Sequence, residues 1–234
     1  MFPVAILSGG LATRLRPATA KVPKALLPFG GRPFIHWQLE LLADRGVSDV
    51  VLCVGFLGEQ IRAVVGDGAE LGIAVRYSFD GDVLLGTGGA LRHALPLLGE
   101  HFFVLYGDSY LSCSFQAAQR AYEAQRLPGL MTVFRNGDRW ERSNVLWRDG
   151  HIVEYNKRAP TADMAHVDYG LAVLSAQTLR KWPDGAVFDL ADLYHELSLH
   201  GELAGLEVGE RFYEIGSARG IEETARYLSA RASP

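Results

Sequence analysis

Short apolar runs alternate with stretches whose apolar residues fall at every third or fourth position along the first half of the chain. Residues 4–7 form an apolar run that stops at Ser8-Gly9-Gly10, residues 33–43 carry the helical spacing, and 50–54 is a β-branched run. The same alternation predicts a helix over 58–65, a strand over 73–77, a helix beginning near Gly88 and a strand over 102–106. Strands separated by helices require crossover connections, so the expected class is α/β: a Rossmann-like, mixed but mostly parallel sheet with helices on both faces. Ligands of such sheets sit beyond the carboxyl ends of the strands.

Beyond a predicted helix at 115–125 the pattern shifts to strands at 130–134, 144–147, 151–155 and 167–174, then to helices at 190–199 and 221–228. Asp149-Gly150 is a two-residue hairpin signal, because both residue types accept positive φ. A hairpin inserted there would wall off a second substrate. The tail from Ser229 to Pro234 is expected to fray.

With 48% hydrophobic residues, 234 positions can bury one substantial core, which predicts a single domain over 1–234 with a first half of about 1–112 and a second of about 113–234. A net charge of −4 leaves no global positive field, so nucleic acid is not an expected partner. Cys53 and Cys113 both sit among apolar residues and read as reduced core thiols. The N-terminus lacks a signal peptide's basic start, and no apolar run approaches the roughly 20 residues that cross a bilayer. The expectation is a cytoplasmic chain with no membrane partner.

The candidate chemistry begins after the first strand. Gly9 and Gly10 allow backbone N–H groups to approach a polyphosphate, Arg14 and Arg16 supply planar donor forks, and Lys24 in Val22-Pro23-Lys24 adds a point charge. A glycine turn followed by solvated cations accounts for each residue singly; the combination points to an anion site. No G-x-x-x-x-G-K-[ST] occurs, and Gly86-Thr87-Gly88-Gly89-Ala90-Leu91 lacks the last Gly or Ala of the dinucleotide fingerprint, which argues against P-loop and hydride-transfer enzymes.

The stretch Leu7-Ser8-Gly9-Gly10-Leu11-Ala12-Thr13-Arg14-Leu15-Arg16-Pro17, followed by Pro23-Lys24-Ala25-Leu26-Leu27-Pro28, resembles the twin signature of the sugar-1-phosphate nucleotidylyltransferases. The match departs at Ala12, where that family carries glycine, and an alanine there is strained if the loop needs positive φ. The resemblance implies a GT-A-like fold, a nucleotide site in the first half and a sugar-phosphate site in the second. It further implies that Leu7, Ser8, Gly9, Gly10, Ala12, Thr13, Arg14 and Lys24 bind the nucleotide, with Gly88 and Gly89 lying against base and ribose. A glycine-rich helix start explains the last two equally well. The form Leu85-Gly86-Thr87-Gly88-Gly89-Ala90 is most similar to the D-glycero-D-manno-heptose 1-phosphate guanylyltransferase branch.

An apolar strand at 102–106 delivers Asp108 at its carboxyl end, where a carboxylate meets a hard cation; a turn or cap role is the plain alternative. By resemblance Asp108 is the magnesium aspartate, and Phe212-Tyr213-Glu214-Ile215-Gly216-Ser217 corresponds to a late motif whose carboxylate is the second Mg²⁺ ligand. Here glutamate replaces aspartate, so Glu214 would meet the metal directly or through water, or else cap the final helix. Glu154-Tyr155-Asn156-Lys157 resembles the sugar-phosphate motif, with Lys157 on the 1-phosphate. Asp168, Gly170 and Asn144 match positions that contact sugar hydroxyls, although turn or strand-edge roles suit Asp168 and Asn144 as well. The seven histidines show no ligand spacing.

A sugar 1-phosphate is substantially ionised at neutral pH and attacks an α-phosphorus without a dedicated base, so positioning and charge neutralisation are the main requirements. Arg14, Lys24 and Asp108 are the expected catalytic residues. The expected substrates are an NTP, GTP first, and a sugar 1-phosphate, the manno-heptose compound first, for surface or capsule polysaccharide; UTP, CTP or dTTP with another sugar stays open. A silent regulatory subunit would not need these three residues, and a glycosyltransferase would carry Asp-x-Asp where Tyr110 stands. A homodimer is the expected assembly on frequency alone.

Overall fold

The computed structural model describes residues 1–12, 15 and 19–232. The first half builds a parallel core. Strand β1 (Val4–Leu7) is followed by a small hairpin, β2 (Pro28–Phe29) and β3 (Arg32–Pro33), and by helix α1 (Phe34–Asp44). Then come β4 (Asp49–Val54), α2 (Gly58–Val65), β5 (Ala74–Phe79), α3 (Gly86–Leu98) and β6 (His101–Tyr106). Strand β1 pairs parallel with β4 on one side and β6 on the other, and β4 pairs with β5. Chain order therefore reverses at β1, which opens a crevice at the carboxyl ends of β1, β4 and β6.

After β7 (Ser109–Leu111) and α4 (Phe115–Gln125), strand β8 (Gly129–Arg135) starts the antiparallel part. The hairpin β9 (Val145–Arg148) and β10 (His151–Tyr155) leads to the long β11 (His166–Ser175). Strand β11 runs antiparallel to β6 and β8 and meets β9 at His166–Val145, so both halves of the chain share one nine-stranded sheet. The chain closes with α5 (Gln177–Arg180), α6 (Leu190–Leu199), β12 (Leu203–Glu207), β13 (Phe212–Glu214) and α7 (Ala218–Ala232). Strand β13 pairs with β7, bringing Glu214 opposite Ser109.

The sheet separates two apolar layers. Val4, Ile6, Val50 and Leu52 face α1 on one side, while Ala5, Val51 and Cys53 face α3 and α6 on the other, as strand alternation demands. Both cysteines are free and buried, and burial pushes each thiol up to about 12. The Asp149-Gly150 hairpin is present, with φ of 50° and 81° at its two turn residues. No helix among the described residues is long and apolar enough to cross a membrane.

Candidate active site

Three strand ends converge on the crevice. The loop after β1 is pinned by Ser8 N donating to Cys53 O at 2.8 Å and Gly107 N donating to Leu7 O at 2.9 Å. The turn after β6, Gly107-Asp108, is fixed from beneath by the buried Gln38 of α1, whose Nε2 donates to Tyr106 O at 3.0 Å and Ser109 O at 2.7 Å. Ile215 N adds a 2.9 Å bond to Asp108 O. Asp108 is thus held at its own backbone and on both sides, leaving its side chain to reach Lys24 Nζ at 2.5 Å.

Two cavities meet at that ion pair. The smaller, about 260 Å³, is lined by Leu7, Ser8, Gly9 and Gly10 of the first loop together with Asp80, Leu84, Gly86 and Thr87. The larger, about 600 Å³, is lined by Asn144, Lys157, Asp168 and Gly170, with aromatic walls from Trp140, Tyr155 and Phe212. Ala12, Lys24, Tyr106 and Asp108 belong to both. Two substrates seated in these cavities would meet across Lys24 and Asp108.

The expected residues fall into place unevenly. Leu7, Ser8, Gly9, Gly10, Ala12 and Lys24 line the smaller cavity; Thr13 and Arg14 lie outside the described residues. Ala12 adopts φ of 46°, the left-handed conformation that makes an alanine costly where glycine is usual. A Cβ on Gly88 would stand 2.2 Å from the Phe188 ring and one on Gly89 2.1 Å from Ala186 O, so these glycines admit the 186–188 loop to the start of α3. Phe188 O accepts from Gly88 N at 3.0 Å and occupies that helix end.

Asn144, Lys157, Asp168 and Gly170 share the larger cavity. Asn144 Oδ1 accepts from Asp168 N at 3.1 Å, and Gly170, at φ 103°, turns the strand so that its N–H donates to Asp168 Oδ1 at 2.9 Å. Tyr155 of β10 lines the larger cavity, and Glu154 next to it accepts from Asn156 Nδ2 at 3.0 Å. Glu214 reaches the cavity, yet its carboxylate accepts from Gly216 N, from Ser217 N at 3.1 Å and from Ser217 Oγ at 2.5 Å, at the start of α7.

Three side chains with no motif of their own complete the arrangement. Asp80, at the end of β5, lines the smaller cavity; burial raises its carboxyl above the usual range, against a 3.2 Å bond from Leu85 N. Its place beyond a strand end is the signal that singled out Asp108. Glu141 lines the larger cavity from an exposed loop position; desolvation, reinforced by Asp168 and Glu214 and opposed by Lys157, lifts it to about 7. Asp168 is pushed up to about 6, chiefly by burial. Arg211, stacked between Trp140 at 4.7 Å and Tyr213 at 5.0 Å, closes the far rim.

Residues 4–143 match the model of the nucleotidyl transferase family, more than half of the chain. The chain belongs to this family. It is 40% identical over 114 residues, 48% of its length, to an N-acetylmuramate alpha-1-phosphate uridylyltransferase of Neisseria meningitidis. It is 36% identical over 105 residues, 45% of its length, to a D-glycero-alpha-D-manno-heptose 1-phosphate guanylyltransferase of Campylobacter jejuni. A mannose-1-phosphate guanyltransferase of Aspergillus fumigatus is 39% identical over 235 residues, 97% of this chain. These matches span 49%, 47% and 64% of the relatives' own lengths. The crystal structure of HddC from Yersinia pseudotuberculosis complexed with GMP-PN superposes with a TM-score of 0.79 at 21% identity, covering 97% of this chain and all of that one, and so shares the fold.

Proposed function

We propose that this chain transfers a nucleoside monophosphate from an NTP to a sugar 1-phosphate and releases pyrophosphate. The observation that carries the reading is the pair of cavities joined at Lys24 and Asp108. The first-loop glycines offer backbone donors to the triphosphate, and Lys24 neutralises charge gathering on the α-phosphorus and the departing pyrophosphate, with Arg14 as its expected companion. Lys157, in the larger cavity, holds the 1-phosphate toward Asp108, while Asn144, Asp168 and Glu141 accept and donate to sugar hydroxyls.

A divalent ion, Mg²⁺ in this reading, fits the donor set: Asp108 offers a hard carboxylate, and Gly216 beside it has no side chain to obstruct. Among the described residues no three His, Cys, Asp or Glu side chains gather for a metal, so substrate phosphates would supply the remaining ligands. Such an ion supplies Lewis-acid neutralisation of phosphoryl oxygens.

For the base, the acceptor chemistry of Asp80 favours GTP. Guanine presents adjacent N1–H and N2–H donors to a carboxylate, whereas uracil and thymine present one N–H flanked by carbonyls that a carboxylate repels. The Campylobacter relative supports a manno-heptose 1-phosphate as acceptor, and the proposed product would serve surface polysaccharide synthesis. UTP is the second reading, favoured by the Neisseria relative. A matrix of NTPs against several sugar 1-phosphates, read by pyrophosphate release, tests both: turnover with no pair removes the activity, and turnover with UTP alone removes GTP.

A further inference from the structure

We infer that Glu214 is a clamp on the turn into α7 and not a ligand of the divalent ion, which leaves Asp108 as the protein's single carboxylate for the metal. This inference rests on the metal reading of Asp108. An ideal Cβ placed on Gly216 would lie 2.9 Å from Glu214 Oε2, 3.3 Å from Asp108 Oδ2 and 3.6 Å from Lys24 Nζ, so Oε2 is the oxygen turned toward the ion pair. A carboxylate oxygen offers about two acceptor positions. Those of Oε2 are taken by Gly216 N and Ser217 N, and Oε1 is engaged by Ser217 Oγ on the other side. The oxygen that faces the metal position is the one already saturated.

The surrounding residues are built for the clamp. A Cβ on Gly220 would meet Glu214 Oε1 at 1.8 Å, so that glycine is required for the carboxylate's seat. Ser217 Oγ also accepts from Gly220 N at 2.9 Å, and Thr224 Oγ1 donates to Glu214 O at 2.8 Å. The clamp also bears on the site, because Ile215 N bonds Asp108 O next door. Glu214 is therefore a positioning residue.

The test uses the full chain and Mn²⁺ as probe, alone and with a non-hydrolysable α,β-methylene NTP, reading dissociation constants by electron paramagnetic resonance. E214Q and S217A should bind Mn²⁺ alike, within about twofold of one another, and lower the melting temperature non-additively in the double variant, since both cut one clamp. D108N should lose Mn²⁺ affinity by about tenfold or more. The inference is overturned if E214Q weakens Mn²⁺ by that factor while S217A keeps the wild-type value, because S217A removes no metal ligand. Unchanged Mn²⁺ binding in D108N would instead remove the metal reading of the whole site, whatever Glu214 does.

Discussion

Lys24 Nζ lies 2.5 Å from Asp108 Oδ2, and the two residues lie on the wall common to both cavities. Their side chains are 23% and 31% exposed, so each remains within reach of a ligand. In the proposed reading an incoming triphosphate would compete for Lys24 and release Asp108, coupling nucleotide binding to exposure of the carboxylate. Replacing either group should cost about 10²- to 10³-fold in kcat, the usual loss for one preorganised electrostatic group. Pyrophosphate release by K24M and D108N, with melting temperatures as a control for folding, checks this; near-normal turnover in D108N would exclude Asp108 from the chemistry.

Asp80 sets the base preference if its carboxylate accepts from guanine. D80N keeps the shape but exchanges an acceptor oxygen for an N–H donor, which suits the carbonyls of uracil. The ratio of kcat/KM for GTP over UTP should fall by about 10- to 100-fold, the worth of a hydrogen bond to a charged group. An unchanged ratio would place the base elsewhere.

What the sequence revealed and what it hid follow from how local each signal is. The first loop, Lys24 and Asp108 are readable because a strand end and a short motif place them without reference to distant chain. Strand β12 escaped notice: Leu203-Ala204-Gly205-Leu206-Glu207 has no β-branched residue, and its Gly205 exists for a contact far away, since a Cβ there would stand 2.0 Å from the Trp147 ring. The packing at Gly88 and Gly89 is equally invisible locally, their missing side chains answering to Phe188 and Ala186 about a hundred positions on. Glu141 is invisible to pattern because a loop carries it, tied down by Asn136 Nδ2 donating to its backbone carbonyl at 2.5 Å.

Ala12 holds φ of 46°, where an L-residue with a Cβ is strained and glycine is not. The left-handed conformation costs a non-glycine residue about 1–2 kcal/mol, while glycine brings back about 0.5–1 kcal/mol of unfolded-state freedom. A12G should therefore gain about 0.5–1 kcal/mol, a rise of roughly 1–4 °C in melting temperature for a chain of this size. Thermal unfolding decides, and a lower melting temperature in A12G would show that the strain is absent.

Gln38 acts on Asp108 only through the backbone. Its side chain is 1% exposed and makes two donations to the turn, to Tyr106 O and Ser109 O. Q38L removes both donations from the part-buried carbonyls of Tyr106 and Ser109, each net bond worth about 0.5–1.5 kcal/mol. The melting temperature should drop, and kcat should fall at temperatures where the variant is still folded, while KM for the NTP changes little. Unaltered kcat in folded Q38L would mean that Asp108 keeps its aim without this support.

Glu141 and Asp168 tie stability to pH. In the folded chain Glu141 titrates at about 7 rather than 4.5, and Asp168 at about 6 rather than 3.8, in both cases chiefly through burial. A carboxyl whose folded-state pKa is raised binds its proton more tightly folded than unfolded, so its stabilising contribution is complete below the unfolded value and is lost as pH rises to the folded one. For Glu141 that window runs from about 4.5 to about 7, and above it the loss is constant. E141Q, which cannot ionise, should escape the loss: its melting temperature relative to wild type should climb through the window and then level off. A difference that stays flat from pH 4.5 to 8 would mean that Glu141 is solvated in the cavity, and would also weaken the case for its contact with a sugar hydroxyl. Saturating sugar 1-phosphate should raise the wild-type melting temperature, since any ligand bound only by the folded state does so. E141Q should gain less from that addition if Glu141 contacts the sugar.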